Sequence, residues 1–345
     1  MMMKASQRRG IPGRGSRRRL WTVATACGVL LAVAILISLR YGSTTLSVRV
    51  LYDAIFHYTP SREQLILKTL RLPRVVVTVL VGANLGVAGA LMQAITRNPL
   101  ASPSVFGLNA GAAFAVVCMT MLLPGLSAAW RVYGAFAGAL GTAVLVYALS
   151  HMIRWGKIEL NMTLVGVTVQ TFLAVGTQAM LIFNESKTEQ LLFWLAGSVV
   201  GNRTYEASVL AIWSLPGLAA AAWLSRSVSV LGLGDELARG LGQRVRLLRG
   251  AALAVVVVLA GVSVSIAGPI GFVGLIVPHM ARYILGLDYR RIIPASALLG
   301  ALLLTLADIG SRWISFPGET PVGIVTALLG TPFFIYLARR RRTGQ

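Results

Sequence analysis

Three histidines, two cysteines and eleven carboxylates are the side chains this 345-residue sequence offers for acid-base, nucleophilic or metal chemistry. His57, His151 and His279 are scattered, with no second His, Cys or carboxylate at ligand spacing, so no metal site and no cofactor is expected. No G-x-x-x-x-G-K-[ST] loop, C-x-x-C pair, H-E-x-x-H helix or G-x-S-x-G elbow occurs. Cys27 and Cys118 lie in apolar stretches, where a thiol behaves as a small hydrophobe and says nothing about compartment. One acid, Asp308, stands inside an apolar run, four residues before Arg312. On a helix the two share a face, so a local ion pair is the better reading and a proton relay the alternative. Nothing here hydrolyses a nucleotide or a peptide, so the chain is not expected to be an enzyme. Energy for any work it does must come from an ion gradient or from a partner.

A second polar cluster is the run L-G-D-E-L-A-R-G-L-G at 233–242. Leu237 and Leu241 are four apart, Asp235 and Glu236 open a short helix, and Gly234 and Gly242 bound it. Acids in a first turn complement the helix dipole. A short amphipathic helix of this kind also makes a peg for a partner's groove, and spacing alone leaves peg and solvated loop equally open.

The elements that must carry these residues are set by hydropathy. With 56% apolar residues, 12% charged residues and a mean hydropathy of +0.74, the chain reads as an all-α polytopic membrane protein. Eight clear spans are expected at 20–39, 74–95, 130–153, 162–183, 205–224, 250–266, 294–309 and 322–338. Two brief Gly/Pro-flanked ones, 109–123 and 275–285, bring the total to about ten. The first is too long for a signal-peptide core, so a retained helix is expected behind a basic tail at 1–19. Residues 20–340 then form one transmembrane domain, followed by a tail at 341–345. If both termini are cytosolic, the inside segments hold about two thirds of the 32 Lys and Arg, as the positive-inside rule requires. The net charge of +21 is therefore read as topology signal and attraction to membrane lipid, not as nucleic-acid binding.

Residues 82–108 recur without a gap 179 positions later: Gly82, Ala88, Gly89, Pro99, Gly107 and Leu108 match Gly261, Ala267, Gly268, Pro278, Gly286 and Leu287. Copies separated by an odd number of crossings are inverted, so two halves at about 74–183 and 253–338 are expected to face each other across a pathway.

Four ordered motifs carry a resemblance. They are R-L-P-R-V-V-V-T-V-L-V-G-A-N-L-G-V-A-G-A-L-M-Q from Arg71, the 233–242 loop, A-G-P-I-G-F-V-G-L-I-V-P-H-M-A-R at 267–282, and P-V-G-I-V-T-A-L-L-G-T-P-F-F from Pro321. Over roughly 20–340 the chain resembles the FecCD-type permease subunits of ABC importers for iron-siderophores, haem and cobalamin. The resemblance implies a bacterial inner-membrane permease and a second permease subunit, identical or paralogous. It also implies cytosolic ABC ATPase subunits and an extracytoplasmic substrate-binding protein. By the same resemblance Leu233, Asp235, Glu236, Leu237, Arg239 and Leu241 form the element that couples to the ATPase. Arg71, Arg74 and Arg312 match outward-facing arginines that dock the binding protein, and their other reading is interfacial snorkelling. The pathway is expected along 159–178, with Leu160 near the inner gate and Gln170, Thr171, Ala174 and Gln178 as candidates. Those polar residues also fit interhelical glue. The chain departs from the family at Thr320, where relatives commonly carry an aliphatic residue, and in its long arginine-rich tails. A self-sufficient secondary transporter for an amphiphilic solute is the competing reading.

Overall fold

The computed structural model describes residues 14–42, 45–56, 61–123, 125–153, 158–183, 185–201, 204–315 and 318–342. Most of the expected basic tail, with Arg8 and Arg9, and His57 and Pro317 lie outside them. The described residues are mostly helical, with no strand among them. In chain order the helices are α1 (Arg14–Arg40), α2 (Val48–Phe56), α3 (Arg62–Ile66), α4 (Leu72–Thr96), α5 (Leu108–Leu122), α6 (Ala128–Met152) and α7 (Ile158–Ile182). They continue as α8 (Glu185–Leu195), α9 (Thr204–Leu231), α10 (Asp235–Gly240), α11 (Val245–Ala267), α12 (Val273–Leu285), α13 (Tyr289–Ile314) and α14 (Val322–Arg342). A π-helical turn, Leu67–Arg71, fuses α3 to α4 into one apolar rod of 35 residues.

Seven of these are long and apolar enough to cross a bilayer, and 108–122, 273–285 and 322–336 are shorter apolar helices, so all ten expected spans are helices. α1 already begins at Arg14, inside the expected tail. The protein is a helical polytopic membrane protein.

At its centre is α4, which packs against α13, α11, α9 and α12. In a bilayer helices gain little from hiding apolar surface from lipid, so close backbone approach must hold them, and small residues permit it. Gly82 and Gly86, four apart, face Gly300 and Ser296 of α13, and a methyl on either glycine would collide with a backbone carbonyl there. Gly89 meets the backbone of Gly274 in α12 in the same way.

These contacts fix directions. α4 and α13 are antiparallel, because Arg74 pairs with Asp308, Gly82 meets Gly300 and Gly86 meets Ser296. Ile95 at the end of α4, His151 at the end of α6, Met162 at the start of α7 and Val245 at the start of α11 line one cavity. α5 is antiparallel to α6, since Gly111 packs on Gly138 and Gly134 on Met119. α12 runs with α4, since Gly274 meets Gly89 and Arg282, further on, bonds Gln93, and α14 starts beside Arg74 through Glu319. The series α4-α5-α6-α7 is thus repeated by α11-α12-α13-α14 with every helix reversed, which is the inverted repeat expected.

Its register needs correcting. A constant shift of 179 pairs the start of α5 with the start of α13 instead of α12, and Pro99 and Pro278 are not equivalent. Pro99 sits in the turn after α4, whereas Pro278 is inside α12. The cause is local: Gly268, at φ +68, precedes Pro269 and ends α11, while α4 runs on to Thr96. Before that break the shift holds, because Asn84 donates to Ser263 Oγ at 3.2 Å, two positions 179 apart meeting where α4 crosses α11. Gly82 and Gly261 both lie at close contacts, the latter against the Phe136 ring.

Candidate functional site

Three regions carry the expected functional residues: the two ends of the bundle and one face of α7.

At the first end, α10 is a single short helix entered through Gly234, whose φ of +133 is a conformation side chains rarely adopt. Ala238 is fully buried, against Leu231 and Val245, because only a small side chain fits between α10 and the floor made by α9 and α11. Asp235 also turns inward. Its carboxylate accepts from Arg97 at the end of α4 and from Arg249 Nη2 at 3.1 Å, with Arg239 Nη2 3.9 Å away. Arg97 reaches it from a left-handed backbone, φ 50, that ends α4. With the underside fixed, Leu233, Leu237 and Leu241 point out, 67%, 59% and 67% exposed, with Glu236 and Arg239 exposed beside them. The six residues singled out in sequence therefore divide into an anchor, Asp235, and an outward set. Asp235 thus commits its carboxylate to arginines of its own chain. Arg97 and Arg249 were missed, being 138 and 14 residues from Asp235.

At the opposite end Arg71, Arg74 and Arg312 come together, but they turn inward, not out. Arg71 donates through Nη1 to the carbonyls of Leu39 and Arg40, both at 2.7 Å. Arg312 donates to Ser38 O at 2.8 Å, Tyr41 O at 2.7 Å and Ser38 Oγ at 2.8 Å, and pairs with Asp308. Both guanidinium groups thus cap the C-terminal carbonyls of α1, which a helix end leaves without partners. Arg74 holds Asp308 Oδ1 through Nε (3.0 Å) and Nη2 (2.8 Å), and both oxygens of Glu319 through Nη1 at 2.8 and 2.9 Å. Asp308 is fully buried between two arginines, so the expected local ion pair is present and extended. Within the chain Arg71, Arg74 and Arg312 thus form an internal clamp. Burial favours that arrangement because a guanidinium in a poorly hydrated region must find acceptors. Glu319, 245 residues from Arg74, was not foreseen.

The third region is the open face of α7. Leu160, Gln170, Thr171, Ala174 and Gln178 are all exposed on it, together with Leu164, Val167, Phe172 and Val175. Thr171 donates its hydroxyl to Val167 O at 2.9 Å and Thr168 to Leu164 O at 3.0 Å, so these hydroxyls are satisfied within their own helix. Thr177, by contrast, is buried. The face is long, smooth and weakly polar, without a charged side chain between Leu160 and Ile182.

Among the described residues no group of three His, Cys, Asp or Glu side chains could hold a metal ion. An inverted-repeat helical bundle with anchored, exposed leucines at one end and an open apolar face on α7 fits a permease subunit. The sequence profile of the FecCD transport family matches residues 30–340, and the chain belongs to that family. It is 48% identical over 306 residues to the Fe(3+)-citrate import system permease protein YfmD of Bacillus subtilis, covering 89% of this chain and 91% of that one. To the ferric enterobactin transport system permease protein FepD of Escherichia coli it is 39% identical over 317 residues, 92% and 94% of the two chains. Its fold superposes with a TM-score of 0.82 on a solved chain assigned to the metal-chelate type ABC transporters, in an inward-facing conformation. That match has 28% identity and covers 92% of this chain and 99% of the other.

Proposed function

We propose that this chain is the membrane-spanning subunit of an ATP-driven importer that carries a ferric chelate, of the citrate or siderophore class, into the cytosol. The relatives' names support the cargo class. The positive-inside count supports an orientation with both termini and α10 in the cytosol of a bacterial inner membrane. The observation that carries the reading is the ridge of Leu233, Leu237 and Leu241 on an anchored α10. Three exposed leucines at one end of a membrane protein, Leu237 on α10 and Leu233 and Leu241 flanking it, fit insertion into a cytosolic ATPase. The hydrolysis belongs to that partner.

The unpartnered face of α7 is read as a wall of the pathway, completed by a second permease subunit, identical or paralogous. A bulky chelate needs a wide passage that does not hold it, and inward-satisfied threonines among alkyl groups provide one. The external binding protein is assigned to the opposite end, where the arginine clamp shapes the surface it meets. A secondary transporter fits less well, since the carboxylate deepest in a span, Asp308, is committed to Arg74 and Arg312.

The test is co-purification. Leu237→Arg with Leu241→Arg should leave the chain inserted and folded while abolishing capture of the ATPase and uptake of radioactive ferric citrate. A charge forced into an apolar cleft costs several kcal/mol, roughly a hundredfold or more in affinity. Full capture by the double variant would end the coupling assignment.

A further inference from the structure

We infer that the α10 end of the bundle holds one anionic phospholipid, its phosphate on an arginine cluster and its acyl chains on the cavity's apolar wall. The cavity, of about 610 Å³, opens between the ends of α4 and α6 and the starts of α7 and α11. Arg239, Arg246 and Arg249 line it together with the apolar Phe106, Met162 and Leu253, Leu253 lying one turn further along α11 than Arg249. Charge is the first argument. The carboxylate of Asp235 is shared by Arg97, Arg239 and Arg249, and Arg246 adds a further guanidinium to the cavity lining. Guanidinium groups crowded together repel each other, and two oxygens of a tetrahedral phosphate offer their planar fork a bidentate acceptor. The first turn of α11, where Val245 and Arg246 sit, adds the positive end of a helix dipole.

Amphipathy is the second argument, and it selects the source of the phosphate. A free phosphate ion has no use for an apolar wall. A phospholipid here has its headgroup at the arginines and a chain along Met162 and Leu253, the latter further along α11 than Arg246 and Arg249. The leaflet follows the orientation proposed above and is the inner one, where anionic lipids concentrate. Because Arg239 and Arg249 contact both the cavity and Asp235, an occupied site shares its side chains with the anchor of α10. The lipid thereby bears on how firmly the leucine ridge is presented, whichever solute the pathway carries.

Native mass spectrometry of the full chain released from mixed nanodiscs tests this. With equal phosphatidylglycerol and phosphatidylcholine, one phosphatidylglycerol should remain bound per chain after phosphatidylcholine has dissociated. Arg246→Gln should lower its retention about tenfold, and Arg239→Gln with Arg246→Gln further, since each charge-assisted contact is worth about that factor. Arg290→Gln, exposed at the same end and carrying the same charge change, should not alter it. Equal retention of the two lipids by the unmodified chain, or retention that falls as much with Arg290→Gln, would overturn the site and leave only annular lipid. Displacement of phosphatidylglycerol by millimolar inorganic phosphate would overturn the lipid assignment in favour of a soluble anion.

Discussion

Replacing Asp308 by Asn should destabilise the fold far more than replacing Glu319 by Gln, although both acids pair with Arg74. Asp308 accepts three charge-assisted hydrogen bonds, two from Arg74 and one from Arg312, in a fully buried position. Such bonds contribute about 1.5–3 kcal/mol each. The loss is cushioned, because Arg74 keeps Glu319 and Arg312 keeps the acceptors of Ser38 and Tyr41. Leaving two arginines partly uncompensated out of water still places the net cost at about 3–5 kcal/mol. Glu319 accepts two bonds, but its side chain is 32% exposed, so water screens and replaces them and the expected cost is about 1 kcal/mol. The measurement is reversible unfolding in mixed micelles, followed by helical ellipticity against the mole fraction of a denaturing detergent. A double variant that also carries Arg74→Gln should recover part of the loss, because it removes one stranded charge. Equal effects of the Asp308 and Glu319 substitutions, or no coupling between Asp308 and Arg74, would refute the clamp.

Gly89→Val should cost about 3 kcal/mol or more and empty the membrane of folded chain, because the new Cβ meets the backbone of Gly274, whereas Gly141→Ala, with open space around it, should be silent in the same expression and unfolding assay. Asp235→Asn should weaken the anchoring of α10, raising protease cleavage between Gly234 and Gly242 several-fold while sparing the rest of the bundle; unchanged cleavage would show that Ala238 alone holds the helix. In a chain with Cys27 and Cys118 replaced, Ala174→Cys should react with a charged maleimide in the assembled complex, and Ala221→Cys, fully buried in α9, should not. Protection of Ala174→Cys by lipid would place the α7 face outside the pathway.

Much of this architecture is legible from hydropathy, because a segment that must satisfy its backbone in lipid has only the helix to choose. The short spans α5 and α12 are marked by the Gly and Pro around them, and the first turns of the repeat by Gly82 and Gly261. What escapes the sequence is direction. The i, i+4 spacing of Leu237 and Leu241 is equally the mark of a buried stripe, and only the tight floor beneath Ala238 turns that stripe outward. The docking role of the arginines comes from the family resemblance alone, and interfacial snorkelling is its alternative. Their partners Leu39, Arg40, Ser38 and Glu319 are backbone carbonyls or distant acids, and neither leaves a signal in local spacing. The repeat failed at Pro99 for a related reason: one Gly-Pro step ends α11 early, and a gap-free match cannot see a helix stop.

The arginine clamp also imposes a timetable. Only 11% of the apolar window of α1 is buried, and the groups that close its C-terminal carbonyls come from residues made later. Arg71 follows Leu39 by 32 residues and is available almost at once. Arg312 follows Ser38 by 274 residues, so at roughly 5–20 residues per second it emerges about 15–55 seconds afterwards. Although α1 precedes the other helices described, it is therefore among the last to be locked, and a chain truncated before α13 would leave α1 on a single latch. That makes the α1 C-terminus a natural place for a membrane protease to distinguish unfinished copies from complete ones.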